Sequence, residues 1–147
     1  MANIYLATSW RNEAQPALVE RLRREGHEVY DFRNPPGGTG FAWSQVPLHG
    51  GANKDSIPAG DYLEVLDHPI AKAGFRADMS ALFAADIVLL VLPCERDAHL
   101  ELGWAVGAGK ETVILLDDPC KASLMYLMVD HIVTNTDELL DWLSDGC

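Results

Sequence analysis

Four short apolar runs and one alternating segment lie along the chain, and most of them are separated by segments whose apolar residues recur every three or four positions. The most uniform run lies between Asp86 and Pro93. A run without polar positions is typical of a strand that is buried on both faces of a parallel sheet. Shorter apolar runs predict strands at residues 4–7, 112–116 and 131–133, and an alternating pattern predicts one at residues 27–32.

The periodic segments predict helices between these strands. After the first strand, Asn12 or Ser9 is a suitable amino-terminal cap for a helix that runs to about Glu25, and Gly26 is suited to end it. Further helices are predicted at residues 61–85 with a break near Pro69, at residues 122–128, and at residues 136–143 with Thr136 as the cap.

A helix is also predicted directly after the most uniform strand. Asp97 is the expected amino-terminal cap, and Gly107 with Gly109 marks the end. Glu101 then falls in the first turn, where the helix dipole and free N–H groups favour an ionised carboxylate. The carboxyl ends of strands are also where open α/β sheets bind their ligands.

Strands that alternate with helices predict an α/β fold with a doubly wound, five-stranded parallel sheet. We expect the flavodoxin-like strand order 2-1-3-4-5 in a single domain over residues 1–147. The carboxyl ends of strands 1 and 3 are neighbours in this order. Residues 5–12 and 94–101 are therefore expected to meet in one crevice.

Residues 34–60 show neither the helical nor the strand periodicity and are rich in Pro and Gly. A loop of this length is usually functional or disordered. Phe41 and Trp43 are its informative residues. They can close over a flat ring of a substrate or, equally, pin the loop to the core.

Composition narrows the class of partner. With 22 acidic and 11 basic residues, the formal net charge is −11, which argues against polymeric nucleic acid and anionic membranes as partners but is compatible with a small ligand. The three cysteines lack disulfide or zinc spacing, and we expect no metal and no cofactor. With neither a signal peptide nor an apolar run long enough for a bilayer, we expect a cytoplasmic protein.

Carboxylates dominate the chemistry that the crevice offers. The sequence lacks a dinucleotide-binding glycine motif, a P-loop and a nucleophile elbow. Paired carboxylates are the residues that cleave glycosidic bonds. The candidates are Glu101, Asp78, Asp86, Glu95 and Asp97.

Three motifs resemble the nucleoside 2-deoxyribosyltransferase superfamily, which includes nucleoside 5′-monophosphate N-glycosidases. They are Ile-Tyr-Leu-Ala at residues 4–7, Ala-Asp-Ile-Val at residues 85–88, and Glu-Leu-Gly-Trp-Ala at residues 101–105 followed by Gly109-Lys110. The last motif is the most specific. The likeness covers most of the chain except residues 34–60 and the last helix.

The resemblance implies roles for three residues. Glu101 would be the nucleophile that forms a glycosyl-enzyme ester, Asp78 would assist the departing base, and Tyr5 would orient the nucleophile. It also implies a homo-oligomer in which a neighbouring subunit completes the site. Each residue also has a purely structural alternative. Glu101 could be an ordinary acid that stabilises a helix start, Asp78 could lie on a solvent-exposed helix face, and Tyr5 could point into the core.

Substrate contacts are expected from two loops. In the first loop, Ser9 and Arg11 resemble the phosphate-binding turn of the monophosphate hydrolases, whereas Trp10 resembles the aromatic residue of the deoxyribosyltransferases. This loop favours a 5′-phosphorylated substrate. Before Glu101, the family usually has a Ser-Gly pair or similar small residues, and here Arg96 and His99 are the candidates to replace those contacts.

Two further residues, Asp86 and Trp43, are candidate substrate contacts, with a strand-start hydrogen bond as the alternative for Asp86. The leading hypothesis is cleavage of the N-glycosidic bond of a nucleoside or nucleotide, with the sugar passing to water or to another base. One rival is an NAD-cleaving domain of the Toll/interleukin-receptor type. The other is a nucleotide-binding domain without catalytic activity.

Overall fold

The computed structural model describes residues 1–38, 40–46 and 54–146. The chain divides into two compact units, one formed by residues 1–31 and 81–147 and the other by residues 32–80. The sheet lies entirely in the first unit. Within the described ranges, no helix is both long enough and apolar enough to cross a membrane.

The sheet has five parallel strands in the order β2-β1-β3-β4-β5. This order confirms the predicted flavodoxin-like α/β fold. It places β1 beside β3, with Tyr5 opposite Val88 and Ala7 opposite Leu90. The strands are β1 (Asn3–Ala7), β2 (Glu28–Tyr30), β3 (Ile87–Val91), β4 (Glu111–Leu115) and β5 (His131–Val133).

Among the described residues, five α-helices and two short 3₁₀ helices lie between or after these strands. The predicted break near Pro69 is confirmed, because one helix ends at Leu66 and the next begins at Pro69. The helices are α1 (Gln15–Arg24), α2 (Ala59–Leu66), α3 (Pro69–Ala84), α4 (Arg96–Gly107) and α5 (Thr136–Asp145), and the 3₁₀ helices are Trp43–Gln45 and Leu124–Met128.

The predicted caps of the first and last helices are wrong. α1 begins at Gln15, later than a cap at Ser9 or Asn12 requires, and Asn12 Oδ1 instead accepts the N–H of Ala14 just before the helix. In α5 the cap is Asn135, whose Oδ1 accepts the N–H of Glu138 at 2.9 Å. Neighbouring residues of similar capping propensity are difficult to distinguish from sequence.

The two faces of the sheet are covered by different helices. Alternate residues of a strand point to opposite faces, and Ile4 and Leu6 pack in one core cluster with buried residues of α1 and α5. Tyr5 therefore lies on the other face, where α4 contacts β1, β3 and β4. This alternation directs the tyrosine of the first strand toward α4.

Within the unit of residues 32–80, the described part of the long loop packs against helices. Phe41 lies directly against Gly74 of α3, where a Cβ atom would approach Phe41 Cβ to 2.9 Å. Trp43 contacts Phe41 edge-on, with ring centroids 5.1 Å apart, and its ring lies 6.4 Å from that of Tyr62 in α2. Both aromatic residues thus take part in the packing of this unit, and whether they also close over a substrate ring stays a prediction.

Side-chain hydrogen bonds connect the carboxyl ends of β1 and β3. Asn12 Nδ2 donates to Thr8 Oγ1 at 3.0 Å and to the carbonyl of Pro93 at 3.3 Å. Thr8 Oγ1 donates to the carbonyl of Val91 at 2.7 Å. Both Asn12 and Thr8 are buried, so these bonds hold the two loops in register where water cannot replace them.

An Asn12→Ala substitution is expected to lower the free energy of unfolding by about 1–3 kcal/mol, because it leaves buried polar groups without their donor. Urea denaturation of the two proteins measures the difference. Asn135→Ala is the matched control and removes an exposed cap worth about 1 kcal/mol. If Asn12→Ala lowers the free energy of unfolding by less than about 0.5 kcal/mol, Asn12 does not contribute to holding the two loops together.

Candidate active site

A tyrosine from the sheet and a glutamate from the covering helix meet where β1 and α4 pack together. Tyr5 is only 1% exposed, and its hydroxyl donates a hydrogen bond to Glu101 Oε2. The ring of Tyr5 stacks on that of Tyr30 in β2, with centroids 5.2 Å apart and an interplanar angle of 17°. The stack fixes the plane of the ring that delivers the hydroxyl.

Glu101 occupies a position that packing alone would give to an apolar residue. The buried residues Ala98, Leu102 and Ala105 mark the face of α4 that is turned toward the sheet, and Glu101 lies on this stripe, half-buried. A carboxylate in such surroundings is costly unless it accepts hydrogen bonds. The Tyr5 hydroxyl supplies one, so the structure brings together two residues that the family resemblance had paired.

The predicted start of α4 is wrong. The helix begins at Arg96 with Glu95 at the cap position, and Asp97 is the acidic residue of its first turn. Glu101 is therefore in the second turn, beyond the free N–H groups at the helix start. The dipole argument does not apply to its carboxylate, which is held instead by the hydrogen bond from Tyr5.

A shallow cavity of about 510 Å³ lies at the amino end of α4, and its volume is within the usual range for small-molecule sites. Arg96 and His99, which the sequence predicted as substrate contacts, both line the cavity. The lining residues are Cys94, Glu95, Arg96, His99 and Leu100. Glu101 follows the last of them in the chain.

His99 is held by partners on both ring nitrogens. Its Nδ1–H donates to the carbonyl of Glu95 at 2.9 Å, so Nε2 is the acceptor for the Tyr126 hydroxyl at 2.8 Å. The two rings also stack, with centroids 5.8 Å apart. Sequence reasoning missed Tyr126, because no local pattern links a residue after β4 to the start of α4.

The half-buried Cys94 thiol that lines the cavity is poorly suited to act as a nucleophile. Burial raises the pKa of Cys94 to about 12, and the carboxylates of Glu95, Glu101 and Asp117 add to the effect. Because the thiolate is the reactive form, we expect this thiol to react slowly at neutral pH. Burial also raises the pKa of Tyr126, which keeps its hydroxyl protonated toward His99.

The first loop forms a turn that is separate from the helix start. Ser9 Oγ accepts the N–H of Arg11 at 3.1 Å, and Trp10 is 50% exposed. α1 begins only at Gln15, and its second residue, Pro16, has no N–H to offer. The N–H groups at the start of α1 are therefore not part of this turn, and the substrate contacts expected from Ser9, Trp10 and Arg11 stay predictions.

Of the remaining predicted residues, Asp86 lies in the same unit as Glu101. Asp86 precedes the amino end of β3, where its Oδ2 accepts the N–H of Asn3 at 2.9 Å. The structure thus places it at the opposite edge of the sheet from Glu101, with the strand-start hydrogen bond that was its alternative. Asp78 and Trp43 belong to the unit of residues 32–80, and their roles stay predictions.

Metal chemistry has no ready donor set here. Among residues 1–38, 40–46 and 54–146, no group of three or more His, Cys, Asp or Glu side chains is arranged to hold a metal ion. The residues gathered at this edge of the sheet are instead suited to carboxylate and hydrogen-bond chemistry.

Comparison with known proteins identifies the fold. A 2-deoxyribosyltransferase from the psychrotolerant bacterium Bacillus psychrosaccharolyticus superimposes with a TM-score of 0.57 at 21% identity, over 92% of this chain and 88% of that one. The Clostridium botulinum CMP N-glycosidase BcmB superimposes with a TM-score of 0.54 at 17% identity, over 96% of this chain and 97% of that one. The chain has the fold of these enzymes.

A third structure, of a conserved protein from Enterococcus faecalis V583, gives a TM-score of 0.63 at 17% identity over 100% of this chain and 99% of that one. No protein-family model matches the chain, and no curated protein matches its sequence. The resemblance to the 2-deoxyribosyltransferase superfamily that the motifs indicated is thus matched at the level of the fold.

Alkylation should distinguish the thiols. At pH 8, iodoacetamide is expected to modify exposed Cys120 well before Cys94, and the rate at Cys94 should rise about tenfold for each pH unit up to pH 10. Peptide mapping by mass spectrometry follows each site. In a Glu101→Gln protein, Cys94 should react faster, because one of the charges that raise its pKa is gone. A rate at Cys94 that levels off near pH 8 would contradict this description.

Proposed function

We propose that this chain cleaves the N-glycosidic bond of a nucleoside or nucleoside 5′-monophosphate, with Glu101 as the nucleophile. The observation that carries the proposal is the hydrogen bond from the buried Tyr5 hydroxyl to the Glu101 carboxylate. The likeness to a 2-deoxyribosyltransferase and a CMP N-glycosidase supports glycosyl transfer or cleavage as the class of reaction.

The proposed reaction has two steps. A carboxylate oxygen of Glu101 attacks the anomeric carbon, the bond from that carbon to the base nitrogen breaks, and its electron pair leaves with the base, which takes up a proton. Water or the nitrogen of a second base then attacks the same carbon, loses a proton and regenerates the carboxylate. The sugar keeps its anomeric configuration over the two displacements.

Tyr5 is proposed to orient the nucleophile. Its hydroxyl occupies one lone pair of Oε2 and stabilises the ionised form of the carboxylate that attacks. The sequence resemblance assigns Asp78 as the residue that provides a proton to the departing base. An assay with and without an acceptor base determines whether water or a second base receives the sugar. Water exclusion decides between these outcomes in glycosyl transfer.

A Glu101→Gln protein is expected to release base at least about a thousandfold more slowly than the parent, because the amide cannot form the ester. The assay incubates each protein with deoxynucleosides, their 5′-monophosphates and NAD, with and without an acceptor base, and quantifies free base by chromatography. Acid quenching followed by intact-mass measurement should detect a glycosyl adduct on the parent only.

Asp97→Asn is the matched control, since it neutralises an exposed carboxylate on the same helix. It should retain the parent's activity. Base release by Glu101→Ala at the parent's rate would refute the nucleophile assignment. Turnover of NAD alone would favour the Toll/interleukin-receptor type of reaction, and tight nucleotide binding without turnover at any pH would favour a binding domain.

A Tyr5→Phe substitution should lower kcat by about 10–100-fold, the value of one hydrogen bond to a charged group. The acidic limb of the pH profile should also move to higher pH, because a carboxylate that loses a donor binds a proton more readily. Tyr30→Phe, which alters the stacked ring but leaves the Tyr5–Glu101 bond, is the comparison. Equal pH profiles for parent and Tyr5→Phe would exclude the orienting role.

A further inference from the structure

The ring of Tyr5 lies between two side chains of the neighbouring strands. Tyr5 is paired with Tyr30 of β2 on one side and with Val88 of β3 on the other. Paired residues of neighbouring strands project from the same face of a sheet. Both flanking side chains therefore lie beside the Tyr5 ring on the face where α4 packs, and together they limit the directions in which this ring can point.

The two neighbours differ in how they hold the ring. Val88 is fully buried, and its strand is paired on both sides. Tyr30 is half-buried and belongs to β2, an edge strand of three residues. Its ring stacks on that of Tyr5, with centroids 5.2 Å apart and an interplanar angle of 17°. On the side where the sheet ends, the Tyr30 ring therefore sets the position of Tyr5.

A buried hydrogen bond secures the carboxyl end of β2. Gln15, the first residue of α1, donates from Nε2 to Asp31 Oδ1 at 2.8 Å, and both side chains are buried. Asp31 directly follows Tyr30 in the chain. Because water does not reach this bond, it gives a short edge strand a fixed end. The strand that carries Tyr30 is thus anchored to the helix layer opposite α4.

We propose that Tyr30 is a positioning residue, whose ring holds the Tyr5 hydroxyl on the Glu101 carboxylate without contacting the substrate. The inference rests on the proposed function and deepens it, because it adds a residue of β2 to the pair that prepares the nucleophile. The requirement is for the aromatic ring of Tyr30 rather than for its hydroxyl, since the ring face makes the contact with Tyr5.

Loss of the Tyr30 ring would open space beside Tyr5 at the edge of the sheet. The Tyr5 ring would then turn toward β2, and water would compete for the Glu101 carboxylate. A misplaced catalytic group slows the bond-breaking step, whereas substrate binding is unaffected when the altered residue does not touch the substrate. The effect of Tyr30 is therefore expected in kcat rather than in KM.

A double-mutant cycle of Tyr30 with Tyr5 tests the inference. Tyr30→Val is expected to lower kcat for base release by about 3–10-fold, the value of an aromatic pair, with KM changed by less than about twofold. In the Tyr5→Phe background the same substitution should change kcat by less than about twofold, since the hydroxyl that Tyr30 positions is already gone. Tyr30→Phe keeps the ring and should retain the parent's kcat.

Val29→Ala is the matched control for damage to the strand. Val29 precedes Tyr30 in β2, so its side chain points to the opposite face, where it packs in the core cluster with residues of α1. This substitution should lower the urea midpoint of unfolding and leave kcat within about twofold of the parent's value. A loss of kcat as large as that of Tyr30→Val would assign the effect to strand stability and overturn the positioning role.

A measurement without turnover separates the inference from the proposed function. In protein labelled with ¹³C at the glutamate δ-carboxyl groups, the NMR signal that is missing from Glu101→Gln reports the pH at which Glu101 takes up a proton. This pH should rise in Tyr5→Phe and, by less, in Tyr30→Val, because a carboxylate that loses a donor binds a proton more readily. It should keep the parent's value in Tyr30→Phe and Val29→Ala.

The outcomes are distinguishable. An equal loss of kcat from Tyr30→Val in both backgrounds, a rise in KM at unchanged kcat, or an unchanged titration of Glu101 would overturn the positioning role while base release still supports the proposed function. If the parent protein releases no base, the proposed function fails, and the titration of Glu101 in Tyr30→Val then decides the positioning role by itself.

Discussion

The candidate site depends on one requirement, which is that a carboxylate placed on the packed face of a helix must receive hydrogen bonds. Glu101 lies among the residues of α4 that pack on the sheet, and the Tyr5 hydroxyl, which rises from the sheet, donates a hydrogen bond to it. Tyr5 is such a donor because the alternation of β1 turns it toward α4 while Ile4 and Leu6 enter the opposite core. Strand register, helix placement and carboxylate chemistry are therefore coupled.

The sequence was sufficient to predict the framework where the signal is local. The uniform run of β3 and the breaks at Pro69 and Gly107 are properties of a few adjacent residues, and the strand order was predicted by analogy with the common flavodoxin-like arrangement. The pairing of Tyr5 with Glu101 came from family motifs rather than from periodicity. Periodicity alone does not indicate which polar residue on a buried stripe finds a partner.

The predictions were wrong where several adjacent residues could cap the same helix. They were also wrong or incomplete where the hydrogen-bond partner of a residue is distant in sequence. Asp97 and Glu95 are both able to begin α4, and the choice moved Glu101 from the first turn to the second. Asp86 follows a helix and precedes a strand, and its carboxylate is satisfied at the amino edge by the N–H of Asn3. The bond between His99 and Tyr126 joins residues 27 positions apart, which no sequence window contains.

The amino edge of the sheet is secured by Lys110, whose Nζ donates to the carbonyls of Phe83 and Ala85 at 2.6 and 2.8 Å. Gly109, at a φ of +75°, makes the turn that brings this lysine to the end of α3. The start of β3 is thereby fixed from the side opposite the cavity. The anchorage that sets the register of β3 is therefore independent of the residues that line the cavity, and changes in the exposed residues of that lining leave it in place.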